Sequence, residues 1–373
     1  MRKDWKYGIL DDAVTKGSSN ISLNKIKDDE GDFPVYGAQG FVQNVSFFQQ
    51  PKEYLAIIKD GAGIGRVSKH PNNSSILATM QYIIPKDGFD INFVQYFLNS
   101  IDFEKHRNGS TIPHIYYKDY KSEPFPLLTL QEQKRIVSIL DKLFADIDKA
   151  KANDEQNIKN VKELFDCVLN NILYDKKWDV KELGKVCLKV EYGSSTKSTT
   201  EGKLPVLRMG NIQKGRFDWN KLVYSDNEGD NKQYLLKHND VLFNRTNSPE
   251  LVGKTAIYKS EMPAIFAGYL IRIHRKEDLL DADYLNFYLN SKMANEYGKT
   301  VMISSVNQAN INGTKLKTYP IPLPPLQTQK AIVQKLDTLS TETKRLEAIY
   351  QQKLLNLEEM RKSILFDAFN GKL

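Results

Sequence analysis

Cysteine is nearly missing from this chain: Cys167 and Cys187 are the two among 373 residues. They form neither a disulfide framework nor a CxxC metal spacing, which suits a reducing compartment. No apolar run approaches the roughly 20 residues that a membrane helix needs. The opening residues, MRKDWKYGIL, lack the apolar stretch of a secretory signal. The expectation is a cytoplasmic chain without membrane contact. Histidine is scarce as well, and His70, His106, His114, His238 and His274 fall in no metal-ligand spacing. Nucleotide loops are absent in strict form. SPELVGKT has Ser248 where a phosphate-binding loop needs glycine, and DGAGIGR is G-x-G-x-G rather than G-x-G-x-x-G. No Asn-Pro-Pro-aromatic methyltransferase motif occurs, and no paired carboxylates flank a nucleophile. These absences point to a chain without catalysis of its own, with no metal and no cofactor bound by it.

What the sequence has in quantity is repetition. PFPLLTLQEQKRIVSILDKL, from Pro124 to Leu143, returns as PIPLPPLQTQKAIVQKLDTL, from Pro320 to Leu339, at a constant offset of 196. FVQYFLNS, starting at Phe93, resembles YLNFYLNS, starting at Tyr284, and each half opens on a tryptophan, Trp5 and Trp178. The chain reads as one plan executed twice. Four spans result: 1–123, 124–177, 178–319 and 320–373. The first and third are strand-rich, with short helices, and belong to the α+β class. The second and fourth are helical. Leu140, Leu143, Ile147, Ala150, Asp154, Asn157, Val161, Leu164 and Val168 step by three and four. So do Leu336, Leu339, Thr343, Leu346, Tyr350, Lys353, Leu357, Met360 and Ile364. That spacing predicts two helices that pair as a coiled coil, the alternative being two amphipathic helices that cover separate cores. The prolines before each helix cannot continue it and are expected to form a stiff hinge, with Thr129 or Thr328 capping the first turn.

A formal net charge of +7 and a pI near 9.0 favour a polyanionic partner. The side chains suited to that partner gather in loops. The first half offers Lys59, Arg66, Arg107, Asn108, Ser110, Thr111, His114, Tyr116, Tyr117 and Lys118. The second offers Arg208, Asn211, Gln213 and Lys214, then Asn244, Arg245, Thr246 and Asn247, then Ser304, Ser305, Asn307, Gln308 and Asn310. Arginine reads guanine and asparagine or glutamine reads adenine, while Lys, Ser and Tyr commonly hold phosphates. These residues are expected to bind DNA.

The doubled P-x-P-L-x-x-L-Q-x-Q-K-x-I-V, with R-x-G-N-I at Arg208 to Ile212 and V-L-F-N-R-T at Val241 to Thr246, resembles the specificity subunit of type I restriction–modification enzymes. The resemblance implies two target recognition domains of mixed α/β structure. Two long helices would separate them as an antiparallel coiled-coil spacer with pseudo-two-fold symmetry. It implies double-stranded DNA as ligand, read as a bipartite asymmetric site. It also implies two methyltransferase subunits and restriction subunits as partners. S-adenosylmethionine, ATP and Mg would act in the assembled complex. The alternatives are a catalytic methyltransferase or nuclease component with an unrecognised motif, and a coiled-coil adaptor that binds only protein.

Overall fold

The computed structural model describes residues 5–175, 177–305 and 308–373. Each repeat is built on the same four-stranded antiparallel sheet. In the first, Val14–Ser18, Met80–Pro85, Tyr54–Ile58 and Val67–His70 lie in that order. In the second the order is Cys187–Tyr192, Leu270–Arg275, Val241–Asn244 and Thr255–Ile257. The inner strands YLAII and VLFN are buried at every residue, which is why they read as continuous apolar runs rather than alternating ones. A smaller mixed sheet accompanies each. Phe33–Gly37 pairs antiparallel with Gly40–Val45 and parallel with Ser75–Ile76. Leu204–Leu207 pairs antiparallel with Val223–Ser225 and parallel with Ile265–Phe266. One helix of each repeat, Ile91–Ser100 or Ala282–Leu289, starts on an aspartate whose carboxylate accepts first-turn N–H groups.

The proline segments are strands, not hinges. Pro124–Pro126 pairs antiparallel with Tyr7–Ile9, and Pro320–Pro322 with Val180–Glu182. Matching bonds close both ladders. Leu127 N donates to the Lys6 carbonyl (2.8 Å) and Leu323 N to the Asp179 carbonyl (2.8 Å), while Leu10 N and Leu183 N reach Glu123 and Tyr319 (3.0 and 2.8 Å). A two-stranded ribbon asks only alternate residues for an N–H, so prolines on either side of Phe125 and Ile321 cost nothing there. Those two side chains are fully buried. Each repeat is thus closed by joining its first strand to its last.

The repeated glutamine has a physical reason. Gln133 is buried; its Oε1 accepts from Asp90 N (2.7 Å), and its Nε2 donates to the carbonyls of Gly88 and Leu128 (3.0 and 2.9 Å). Gln329 does the same with Asp281 N, Leu279 and Pro324, each at 2.8 Å. Each amide ties the start of a long helix to the loop that begins the short capped helix.

The long helices run from Leu130–Leu173 and Leu326–Phe369. Thr129 caps the first, its Oγ1 accepting from Glu132 N at 3.3 Å. Thr328 lies inside the second, which starts directly after Pro324 and Pro325, so it caps nothing. The compact units cut across the four spans of the sequence. One comprises Met1–Glu155 and Gln351–Leu373, the other Gln156–Tyr350, so each takes part of both long helices. In the first unit the helices pair antiparallel: Lys151 bonds Glu358 at 2.6 Å, and three residues back Asp148 meets Arg361, three residues on, at 3.2 Å. Phe369 packs on Phe93 and Phe97 there, and Leu365 and Ala368 join the core. In the second unit Leu336 packs in the core with Leu169 and Leu173, and Lys162 reaches Glu347 at 3.3 Å.

The seam of the second long helix departs from the expected one. Thr343, Tyr350, Leu357 and Ile364 do turn inward. Leu346, Lys353 and Met360 are exposed, and Glu347, Leu354 and Arg361 take the intervening places. Leu164 of the first long helix is likewise exposed.

Candidate nucleic-acid interface

The inner strand of each main sheet ends at a cation. Lys59 follows Ile58, and Arg245 follows Asn244. The equivalence is exact in the hydrogen bonds. Lys59 N donates to the Thr79 carbonyl (3.1 Å) and Arg245 N to that of Tyr269 (3.0 Å). In return the Lys59 carbonyl accepts from Ile115 N (2.9 Å) and that of Arg245 from Ile311 N (2.8 Å), two residues again 196 apart. The excursion that follows returns at a glycine of positive φ, Gly65 (82°) or Gly253 (93°), where the left-handed backbone favours glycine. Gly65 N bonds the Ile58 carbonyl and Gly253 N that of Asn244 (2.9 and 2.8 Å). The next residues, Arg66 and Lys254, are both cationic. Lys254 was not among the candidates read from the sequence, where it sat inside the failed phosphate-loop motif; its match to Arg66 emerges only from the paired strands.

The next pair of positions differs between the repeats. In the first, Asp60 Oδ1 meets His114 Nδ1 at 2.7 Å. In the second, Asn310 Nδ2 donates to Thr246 Oγ1 at 2.8 Å. His114 and Asn310 occupy the same middle place. His114 bridges both Asp60 and Asn108, and Asn310 is paired with both Thr246 and Ile303. The small sheet of Thr246–Asn247, Gln308–Asn310 and Ile303–Ser305 therefore gathers Thr246, Asn247, Ser304, Gln308 and Asn310 from two distant parts of the chain.

In the first repeat the loop carrying the candidates turns at Gly109 (φ 81°), closed by reciprocal Asn108–His114 backbone bonds of 2.8 Å. Arg107, Asn108, Ser110, Thr111, Tyr116 and Lys118 are exposed. Arg107 is paired with Glu104 at 3.2 Å, and Asn108 donates to Asp119 at 3.2 Å. Tyr116 lies nearly parallel to the His114 ring (21°), with the Lys118 ammonium 5.5 Å from its centroid. Arg66 is exposed and donates to the Ala38 carbonyl at 3.2 Å.

Four candidates are turned inward, Thr246 among them with its hydroxyl on the Asn310 amide. Tyr117 is buried in the core and donates to Asp11 at 2.7 Å. Asn211 is buried; it caps Arg208 N through Oδ1 (3.0 Å) and donates to the Asp218 and Asn220 carbonyls. Asn244 has no exposed surface and donates to the Leu251 carbonyl. These side chains shape loops, which is a common use of asparagine. Arg208, Gln213 and Lys214 remain exposed at the head and turn of the Ile212–Gln213 and Arg216–Phe217 hairpin. Arg245 is half-buried: its guanidinium lies 5.0 Å from the Tyr192 ring centroid and donates to the Gly268 carbonyl, while Nε has no partner among the described residues. Asn307 lies outside the described residues, and Ser305 is described as backbone alone.

Behind this surface the second repeat buries a charge cluster. Arg272 bonds Glu191 at 2.6 Å and Asp240 at 3.0 Å, and His274 bonds Glu191 at 2.9 Å. Burial raises the Glu191 carboxyl, but the hydrogen bonds from His274 and Arg272 outweigh it and hold the group at about 2. In the first repeat the corresponding place on the strand belongs to Tyr82, which donates to Gln49 and accepts from Ile76 N. No group of three or more His, Cys, Asp or Glu that could hold a metal occurs among the described residues.

Two copies of one α+β domain, each presenting a cation and a hydrogen-bonded polar pair at the end of its inner strand, define a two-headed recognition protein. The chain belongs to the family of the type I restriction modification DNA specificity domain, whose model matches residues 2–160 and 175–356. It is 26% identical over 304 residues to the type I restriction enzyme EcoKI specificity subunit of Escherichia coli K12, covering 77% of this chain and 65% of that protein. It is 25% identical over 310 residues to the StySPI specificity subunit of Salmonella potsdam, covering 78% and 67%. The chain thus spans about two thirds of the length of these relatives. A chain solved in work on complex assembly and conformational transition of the type I R-M system has the same fold, with a TM-score of 0.76 at 17% identity over 100% of this chain and 99% of that one. Among the described residues no helix is long and apolar enough to cross a membrane.

Proposed function

We propose that this chain reads a bipartite, asymmetric double-stranded DNA site as the specificity subunit of a type I restriction–modification system, and performs no chemistry itself. One observation carries the reading: equivalent positions at the end of the inner strand hold Lys59, Asp60 and His114 in one repeat and Arg245, Thr246 and Asn310 in the other. A shared frame with different hydrogen-bonding groups suits two heads that read different bases. Two methyltransferase subunits and the restriction subunits are the partners of this reading, and S-adenosylmethionine, ATP and Mg belong to them. Exposed apolar side chains on the long helices, Leu164, Leu355 and Met360, support partner docking.

Mapping methylated adenines in a host genome with and without the chain tests the proposal. One two-part motif should appear only when the chain is present. Replacing residues 5–123 with another such domain should alter one half of the motif and keep the other. A methylation pattern indifferent to the chain would refute the reading.

A further inference from the structure

Base readers need fixed orientation, because donor and acceptor must meet a base edge within a few tenths of an ångström. In each head the side chain at the middle place is held in that way by a neighbour. Asp60 is a carboxylate, so the 2.7 Å contact requires His114 Nδ1 to carry the hydrogen. In the neutral ring Nε2 is then an acceptor, and it has no partner among the described residues. Thr246 Oγ1 takes one hydrogen of the Asn310 amide. The second N–H and Oδ1 of Asn310 have no partner among the described residues. Both readers are half-buried, flanked by Lys59 or Arg245, and pinned on two sides by backbone pairing.

Resting on the DNA-reading proposal above, we infer that His114 and Asn310 are the specificity-determining residues of the two heads, and that Asp60 and Thr246 are the positioning residues that fix what each presents. The chemistry names the bases. A lone acceptor selects an exocyclic amino group in the major groove, that of adenine or cytosine. An amide offering one donor beside one acceptor matches adenine, whose N7 accepts and whose N6 donates. The first half-site therefore contains an amino-bearing base under His114, and the second contains an adenine under Asn310. Because one head presents an acceptor alone and the other a donor–acceptor pair, the two half-sites differ at this place.

The test uses the chain assembled with its methyltransferase subunits and selection from randomised duplex DNA. Each selected base pair is then varied singly and binding measured by competition. Thr246→Val and Asn310→Ala should each reduce discrimination at one adenine of the second half-site by about tenfold or more, leaving the first half-site intact. Thr246→Ser, which keeps the acceptor, should retain it. Asp60→Ala and His114→Ala should do the same for one position of the first half-site, and Asp60→Asn should retain it. Substituting 7-deazaadenine at the second-site adenine should weaken the unsubstituted complex and leave Asn310→Ala unchanged, a readout that a folding defect would not give. If the complex selects a bipartite sequence and discrimination survives Asp60→Ala, Thr246→Val and Asn310→Ala alike, this assignment is overturned while DNA reading stands. If the complex selects no sequence at all, the proposed function falls, and this inference with it.

Discussion

Gln133 places three hydrogen bonds in a site with no solvent, so Gln133→Ala would leave Asp90 N and the carbonyls of Gly88 and Leu128 without partners. The expected cost is about 2–4 kcal/mol in the first unit, and Gln329→Ala should cost about the same in the second. Urea unfolding followed by probes in each unit would measure both; losses below about 0.5 kcal/mol would contradict the clamp. A second prediction concerns acid. Burial lowers His70 to about 4 while an unfolded histidine titrates near 6.5, so unfolding takes up a proton between those values. The stability it gives is complete above about pH 6.5 and is lost as pH falls toward 4, in total roughly 3 kcal/mol. Glu191, held at about 2 against an unfolded carboxyl near 4.3, acts lower: its contribution is complete above about pH 4.3 and is lost as pH falls toward 2. Acid should therefore weaken the first unit before the second. His70→Gln should flatten the upper window and leave the lower one. Urea midpoints measured from pH 7 to 3 would expose an unchanged profile.

Among the elements, the long helices show how far sequence reading reaches. Their existence, their repetition at offset 196 and the start of the first were legible because proline, glutamine and apolar spacing all point the same way. The seam of the second helix was legible through Leu336, Leu339 and Thr343, and beyond them only at every other contact. An α-helix drifts about 20° per heptad against a strict seven-residue repeat, so one neighbouring row can replace another. Glu347 and Arg361 can fill that row because their stems lie on the apolar seam while their heads pair with Lys162 and Asp148. Arg361 also lies 4.5 Å from the Phe144 ring centroid. Hence Met360→Lys, on the exposed side, should change stability by no more than about 0.5 kcal/mol. Leu365→Ala, in the core of the first unit, should cost about 2–5 kcal/mol. Urea unfolding of the two variants separates the frames, since the frame expected from spacing puts Met360 inside. The prolines do keep the chain from continuing the helix, but spacing alone does not show that Tyr7–Ile9 and Val180–Glu182 pair with them and make strands of the expected hinges. Of the candidate site, the sequence supplied the residue types and the loops. It could not show that Tyr117, Asn211 and Asn244 face inward, since loop asparagines look alike until their carbonyl partners are known. Nor could it bring Asn310 beside Thr246, which stands 64 residues away.

At the scale of the molecule, a chain of net charge +7 bound to DNA displaces condensed counterions. The assembled complex should lose affinity with salt along a log–log slope of about −0.9 per phosphate neutralised. Arg208→Ala should reduce that slope by about one if this exposed arginine holds a phosphate, and a slope near zero in the unsubstituted complex would exclude DNA as ligand. The discontinuity of the first unit bears on how the protein is made. Its two segments, Met1–Glu155 and Gln351–Leu373, are separated by the whole of Gln156–Tyr350. A ribosome working at roughly 5–20 residues per second would need roughly 10–40 s to cross that interval. Until it is crossed, Phe93 and Phe97 have Phe125 against them but lack Phe369, which lies in the later segment. The second head, made later, is complete sooner. A chain stopped after Tyr350 should consequently keep a protease-resistant second head and open the first, which then lacks Leu365, Ala368 and Phe369 from its core, to cleavage.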